Sequence, residues 1–158
     1  MIREDTLGSN SSLIEVLAEE HKKIRVTYNK LMSAAVDKQY ALVDQELNEF
    51  NAEIRAHYGH AEKKLYSHIK SYIHINYPKR EKAFTKLMLE MKNISVEIFY
   101  ILNQSPNIPV TGQTYSEFMV EFLRIGKIMN ERIIREQNIL FKMYAQTNIQ
   151  SNGVRQVG

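Results

Sequence analysis

Four side chains with chemistry to offer interrupt otherwise apolar stripes in this sequence: His21, His57, Arg132 and Glu136. Read in steps of three and four, the segment Tyr115 to Met143 gives Tyr115, Phe118, Phe122, Ile125, Met129, Arg132, Glu136, Ile139 and Met143. Such a stripe is built for burial against other helices, yet two of its members carry full charges. A charge buried alone costs on the order of several kcal/mol, so Arg132 and Glu136 must be paired. His21 falls on the stripe Leu13, Leu17, Ile24, Tyr28, Leu31, and His57 on the stripe Val43, Leu47, Phe50, Ile54, Ala61, Leu65, His68. Four interruptions on three stripes point to one shared internal polar cluster. In it Glu136 accepts hydrogen bonds from Arg132 and from histidine, each strengthened by the low local dielectric.

Histidine and carboxylate spaced four residues apart on facing helices can also hold metal, as in di-iron bundles and hemerythrin-like domains. Glu20-His21, then His57 followed by Glu62-x-x-Leu65-Tyr66, has that outline. The donor count falls short. Ala61 stands where a carboxylate would share a face with His57, and Glu62 lies about 100° around the helix. Arg132 occupies the fourth-helix histidine position, and a guanidinium does not ligate metal. The sequence therefore predicts no di-iron centre and no cofactor. His60, off the stripe, is expected at the surface, and His68 and His74 near a helix C-terminus, where a cation suits the dipole. Neither a phosphate-binding glycine loop, a nucleophile–histidine–acid spacing nor a catalytic carboxylate pair is present, so enzyme activity is not expected.

The elements that must position these residues read as helices. Only three prolines and six glycines punctuate 158 residues, and β-branched alternation is lacking. Ser9 to Ser12 offers N-cap oxygens, with Glu15 placed for a capping box. A break is expected near Ser33–Gln39, and another at Asn76-Tyr77-Pro78, where proline disfavours helix at the preceding residue. A third helix carries Phe84, Leu87, Met91, Ile94, Ile98 and Ile101, and a turn-rich loop spans Asn103 to Thr114. These patterns predict an all-α, antiparallel up-down four-helix bundle: a flexible start at 1–8, one domain at 9–146 and a flexible tail at 147–158. A weak internal repeat aligns His57-x-x-x-Ala61 with Arg132-x-x-x-Glu136.

Composition narrows the function classes. With 44% apolar and 25% charged residues and a net charge of +3, the chain resembles an ordinary soluble globular domain. Cysteine is absent, which removes disulfides and thiolate chemistry. The basic residues are interleaved with acids and the aromatics fall on core spacings, which argues against direct nucleic-acid binding. No stretch looks like a signal peptide or a membrane span, so a cytoplasmic location is expected.

Several segments, taken in register, resemble the regulator of sigma D (Rsd/AlgQ) family. They are Tyr115-x-Glu117-Phe118, Ile125-Gly126 and Glu131-Arg132-x-x-x-Glu136, with Ala56-His57-Tyr58, Glu62 and Leu65 on the second helix. Gly8-Ser9-Asn10, Leu17 to His21 with Ile24-Arg25, and Leu89-Glu90 add smaller matches. The resemblance implies a bacterial anti-sigma factor. Such a protein binds the C-terminal, promoter-recognising region (region 4) of the primary sigma factor of RNA polymerase and favours alternative sigma factors in stationary phase. Carried over by position, the sigma-binding face comprises Leu13, Val16, Leu17, Asn51, Ile54 and Tyr58. Glu15-Val16, Asn51 and Ile54 depart from the family's pattern at that face, whereas the internal polar residues keep it. The alternative is a degenerate hemerythrin-like bundle that binds metal or a small ligand.

Overall fold

In the computed structural model the described backbone covers residues 5–104 and 110–154, with side chains described for 13–104 and 110–147. It is all-helical, with no strand among the described residues. Four rods account for it. The first is α1, Asp5–Val36. The second joins α2, Tyr40–His60, through a π-helical turn at Ala61–Tyr66 to α3, Ser67–Asn76. The third is α4, Glu81–Gln104, and the fourth joins α5, Tyr115–Arg135, through a π turn at Glu136–Leu140 to α6, Phe141–Val154. No helix among the described residues is long and apolar enough to cross a membrane.

The breaks follow local chemistry. The first rod ends at Asp37–Gln39, where Lys38 adopts a left-handed φ of 57°. Tyr77 leaves the helical region (φ −137°, ψ 58°), and Pro78 opens a short 3-10 turn that leads into α4. One expectation at the start is corrected. Helix α1 already runs from Asp5, so the Ser9 to Ser12 backbone lies inside the helix and does not cap it. The expected turn at Ser105 to Pro109 lies outside the described residues.

The π turns correct two of the predicted stripes. A π turn takes one residue more than an α turn, so every later side chain shifts around the rod. In the second rod the buried sequence after Leu65 continues through Ile69 and Ile73, while His68 is exposed. In the fourth it continues after Glu136 through Leu140, Phe141 and Tyr144, leaving Ile139 exposed and Met143 half-buried. The Phe141 N–H donates to the Glu136 carbonyl five residues back, the bond that defines the wider turn.

Rod α1 packs along α2 and also meets α5 and α6, while α4 packs on α5 and α3 on both α4 and α6. Two apolar cores result. One gathers Ile24, Leu31, Phe50, Ile54, Ile98, Phe122 and Ile125 with their neighbours, and the other Leu17, Leu65, Ile69, Phe84, Met91 and Leu140 with theirs. His21, His57, Arg132 and Glu136 occupy the level between them, each at 3% exposure or less.

Close approach of α1 to α5 depends on one glycine. The Tyr28 ring stacks on Phe122 at 5.1 Å and its hydroxyl donates to the Phe122 carbonyl at 3.0 Å. A Cβ at Gly126 would lie 2.1 Å from that hydroxyl oxygen and 2.4 Å from Cζ, whereas one at Gly59 would meet nothing within 4 Å. Gly126→Ala is expected to destabilise the protein by about 1–3 kcal/mol through overpacking. Gly59→Ala is expected to stabilise by roughly 0.5–1 kcal/mol through helix propensity alone. Urea unfolding of both variants measures the difference in sign.

Candidate functional site

At the level between the two cores, the carboxylate of Glu136 is fully buried and engaged on both oxygens. Its Oε1 lies 2.9 Å from Nε2 of His21 and 2.9 Å from Nε2 of His57. The two ring nitrogens are themselves 3.0 Å apart. Its Oε2 accepts the Tyr66 hydroxyl at 2.7 Å, and Tyr66 in turn accepts from the Arg132 guanidinium at 3.0 Å. The direct Arg132–Glu136 approach is longer, 3.9 Å from Nε to Oε2. Arg132 spends another donor on the Met91 carbonyl at 3.0 Å, and its guanidinium carbon sits 3.6 Å from the centre of the Tyr58 ring.

Outer partners orient both imidazoles. Nδ1 of His57 bonds Oε2 of Glu20 at 2.7 Å, and the other oxygen of Glu20 bonds Nδ1 of His60 at 2.6 Å. Nδ1 of His21 lies 3.2 Å from the Gln137 side-chain amide. Phe141 stacks on the His21 ring at 5.5 Å, a contact that exists because the π turn rotated it inward.

Electrostatics follow from this geometry. Burial opposes ionisation of Glu136, but the bonds from His21 and His57 outweigh it and hold the carboxyl well below its usual range. Burial likewise disfavours the His57 imidazolium, yet Glu136 and Glu20 together raise its pKa. For His21 burial prevails over Glu136 and the pKa falls. Glu20 is desolvated, but His57 and His60 keep its pKa lowered. Burial pushes the Tyr58 hydroxyl up to about 12 and that of Tyr66 up as well, so both phenols stay protonated.

All four residues of the expected internal cluster therefore meet, but the bonding differs from the sequence reading. Tyr66, not direct contact, mediates between Arg132 and Glu136. Glu20, Tyr66 and Gln137 were missed. Tyr66 and Gln137 sit off any uniform 3.6-residue stripe, and Glu20 reaches the cluster from a partly exposed position. His60 is exposed as expected but holds Glu20. His68 bonds Thr147 and His74 pairs with Glu81.

The expected sigma-binding face does not form a single surface. Leu17 and Ile54 have no exposure and Tyr58 has 8%, because all three point into the bundle. Leu13 and Asn51 are half-buried, and Val16 is half-exposed. What solvent reaches between α1 and α2 is an open groove, with Val16, Val26, Glu19, Lys23, Glu49 and Glu53 among its walls. Glu53 accepts from Thr27 at 3.0 Å through one oxygen. Its other oxygen, sheltered by the helices, finds no hydrogen-bond partner among the described residues.

The residues on the stripes provide too few donors for a dinuclear centre. The tertiary structure nonetheless brings two imidazole nitrogens and one carboxylate oxygen onto a common point. Among the described residues they form the one group of three or more such side chains close enough to share a metal ion. No protein-family model, curated protein or solved structure matches this chain.

Removing one member of this network leaves the others buried and unpaired. Glu136→Ala and Arg132→Ala are each expected to destabilise by roughly 3–5 kcal/mol, and Tyr66→Phe by about 1–3 kcal/mol. Exposed Lys127→Ala serves as the control and is expected to stay within about 0.5 kcal/mol of the parent. Thermal and urea unfolding, followed by circular dichroism, measure all four; a Glu136→Ala shift no larger than the control's contradicts the network.

Proposed function

We propose that this chain is a non-catalytic regulatory protein, an anti-sigma factor that binds the C-terminal region of the primary sigma factor and limits its use by RNA polymerase. In this reading the rods form an antiparallel up-down bundle in the bacterial cytoplasm, and neither nucleic acid nor membrane is engaged directly. The residues resembling the regulator of sigma D family support it, since Arg132, Glu136 and His57 are among those that build the interior.

The observation that carries the proposal is the α1–α2 groove. Val16 and Val26 are 50% and 52% exposed, separated by about three turns of one helix face. Acidic and basic side chains of α1 and acidic ones of α2 surround them. An open, mixed apolar and charged trough suits another protein's surface better than a small substrate, because it lacks enclosure and convergent polar groups. The face thus shifts outward from Leu17, Ile54 and Tyr58, keeping Val16 from the family-based set.

The test is binding of the purified C-terminal region of the cognate primary sigma factor, measured by calorimetry and pull-down. Val16→Glu with Val26→Glu is expected to weaken binding at least about tenfold, corresponding to about 1.4 kcal/mol, with an unchanged melting temperature. Val120→Glu, 67% exposed on α5, is expected to leave it intact. Failure of the parent protein to bind at micromolar concentration rejects the proposal.

A further inference from the structure

We propose that His21, His57 and Glu136 form a mononuclear site for a divalent first-row transition ion, held by Nε2 of each histidine and Oε1 of the glutamate. This goes beyond the partner-binding reading and does not depend on it.

The argument starts from the triangle of donor atoms, with edges of 2.9, 2.9 and 3.0 Å. Hydrogen bonds cannot satisfy all three edges while Glu136 is ionised. If both ring nitrogens carry a proton, each donates to the carboxylate, but the nitrogens then face each other as two donors. If only His57 carries it, the edge from His21 to Glu136 brings two acceptors together. With no proton on either nitrogen, all three edges join acceptors. An imidazole nitrogen has a proton or a lone pair, never both, so one edge always remains repulsive. A single cation near the centre is attractive to all three atoms at once.

The dimensions suit such an ion. Metal–nitrogen and metal–oxygen bonds run about 2.0–2.2 Å, and two of them at right angles set their donors about 3 Å apart. The observed edges are those of one face of an octahedron. Two histidines and one carboxylate on one face, with the remaining positions open, is the donor set expected of Fe(II) and related ions.

The surroundings supply what a metal site needs beyond its ligands. Glu20 accepts from Nδ1 of His57 at 2.7 Å, which fixes Nε2 as the lone-pair face and raises its basicity. Gln137 stands 3.2 Å from Nδ1 of His21, where its amide oxygen can do the same after rotation of the amide. Tyr66 anchors the other oxygen of Glu136 at 2.7 Å. Arg132 faces that oxygen and not the triangle. With both imidazoles neutral, as metal ligands must be, Glu20 and Glu136 outweigh Arg132 by one negative charge, which a bound cation offsets in place of a proton on His57. The π turns at Ala61–Tyr66 and Glu136–Leu140 bracket the same level, and such turns are frequent at functional sites.

The test uses untagged full-length protein, stripped with a chelator and then loaded anaerobically with Fe(II), or titrated with Co(II) by calorimetry. One equivalent per chain is expected to survive desalting and to raise the melting temperature, and His21→Ala, His57→Ala and Glu136→Gln are expected to retain less than a tenth of it. His74→Ala, which removes an exposed histidine paired with Glu81, is expected to keep full loading. Less than a tenth of an equivalent on the parent protein overturns the site, as does full loading of a folded His21→Ala or His57→Ala variant. Should those variants fail to fold, X-ray absorption of the loaded parent decides: imidazole scattering in the first shell supports the site, and its absence overturns it.

Discussion

A carboxylate at zero exposure in the middle of a helical bundle constrains everything around it. Glu136 is tolerable there only because each oxygen has its own set of partners, histidine nitrogens on one side and the Tyr66 hydroxyl on the other. Those partners come from different rods: His21 from α1, His57 and Tyr66 from the second rod, Arg132 and Glu136 itself from the fourth. The third rod joins through the Met91 carbonyl, which accepts from Arg132. Apolar contacts alone would let helices slide or rotate by a residue with modest loss. A directional network that spans all four rods admits one register, since any slip strands a charge.

The π turns are how the chain reconciles that register with the packing on either side. Each wide turn sits at the polar level, once after His60 and once after Arg135. Below it, the second and fourth rods present faces that a continuous α-helix would have turned away. Leu140, Phe141 and Tyr144 thereby line the second core, and Phe141 covers one face of His21. The weak repeat between the two rods thus corresponds to a shared structural device.

The features that carry the two proposals lie apart, one in the interior and one on the surface. The interior cluster is buried, with Phe141 stacked on His21, and offers a common point for three donor atoms. The α1–α2 groove is open, mixed in polarity and lined by exposed valines. The two are connected through α1, which carries His21 and Glu20 inward and Val16 and Val26 outward, and through Glu20, whose carboxylate links buried His57 to exposed His60. The same helix therefore serves both the buried network and the groove.

How much of this the sequence determined by itself depends on the range of the interaction. Helical periodicity, the breaks at Lys38 and Pro78, and the burial of His21, His57, Arg132 and Glu136 were legible, because each is set by neighbours within a turn or two. Tyr66, Glu20 and Gln137 were not, because they reach the cluster from positions off the 3.6-residue stripe. The same limit misplaced Ile139 and His68, since a single inserted residue in a π turn shifts every later side chain while leaving composition and capping signals unchanged. Leu17, Ile54 and Tyr58, assigned by resemblance to a binding face, turned inward because packing against the other rods sets the rotation of a helix. Only the tertiary structure decided that two imidazole nitrogens and a carboxylate oxygen meet within 3.0 Å, a convergence of residues 36 and 115 positions apart that no local pattern encodes.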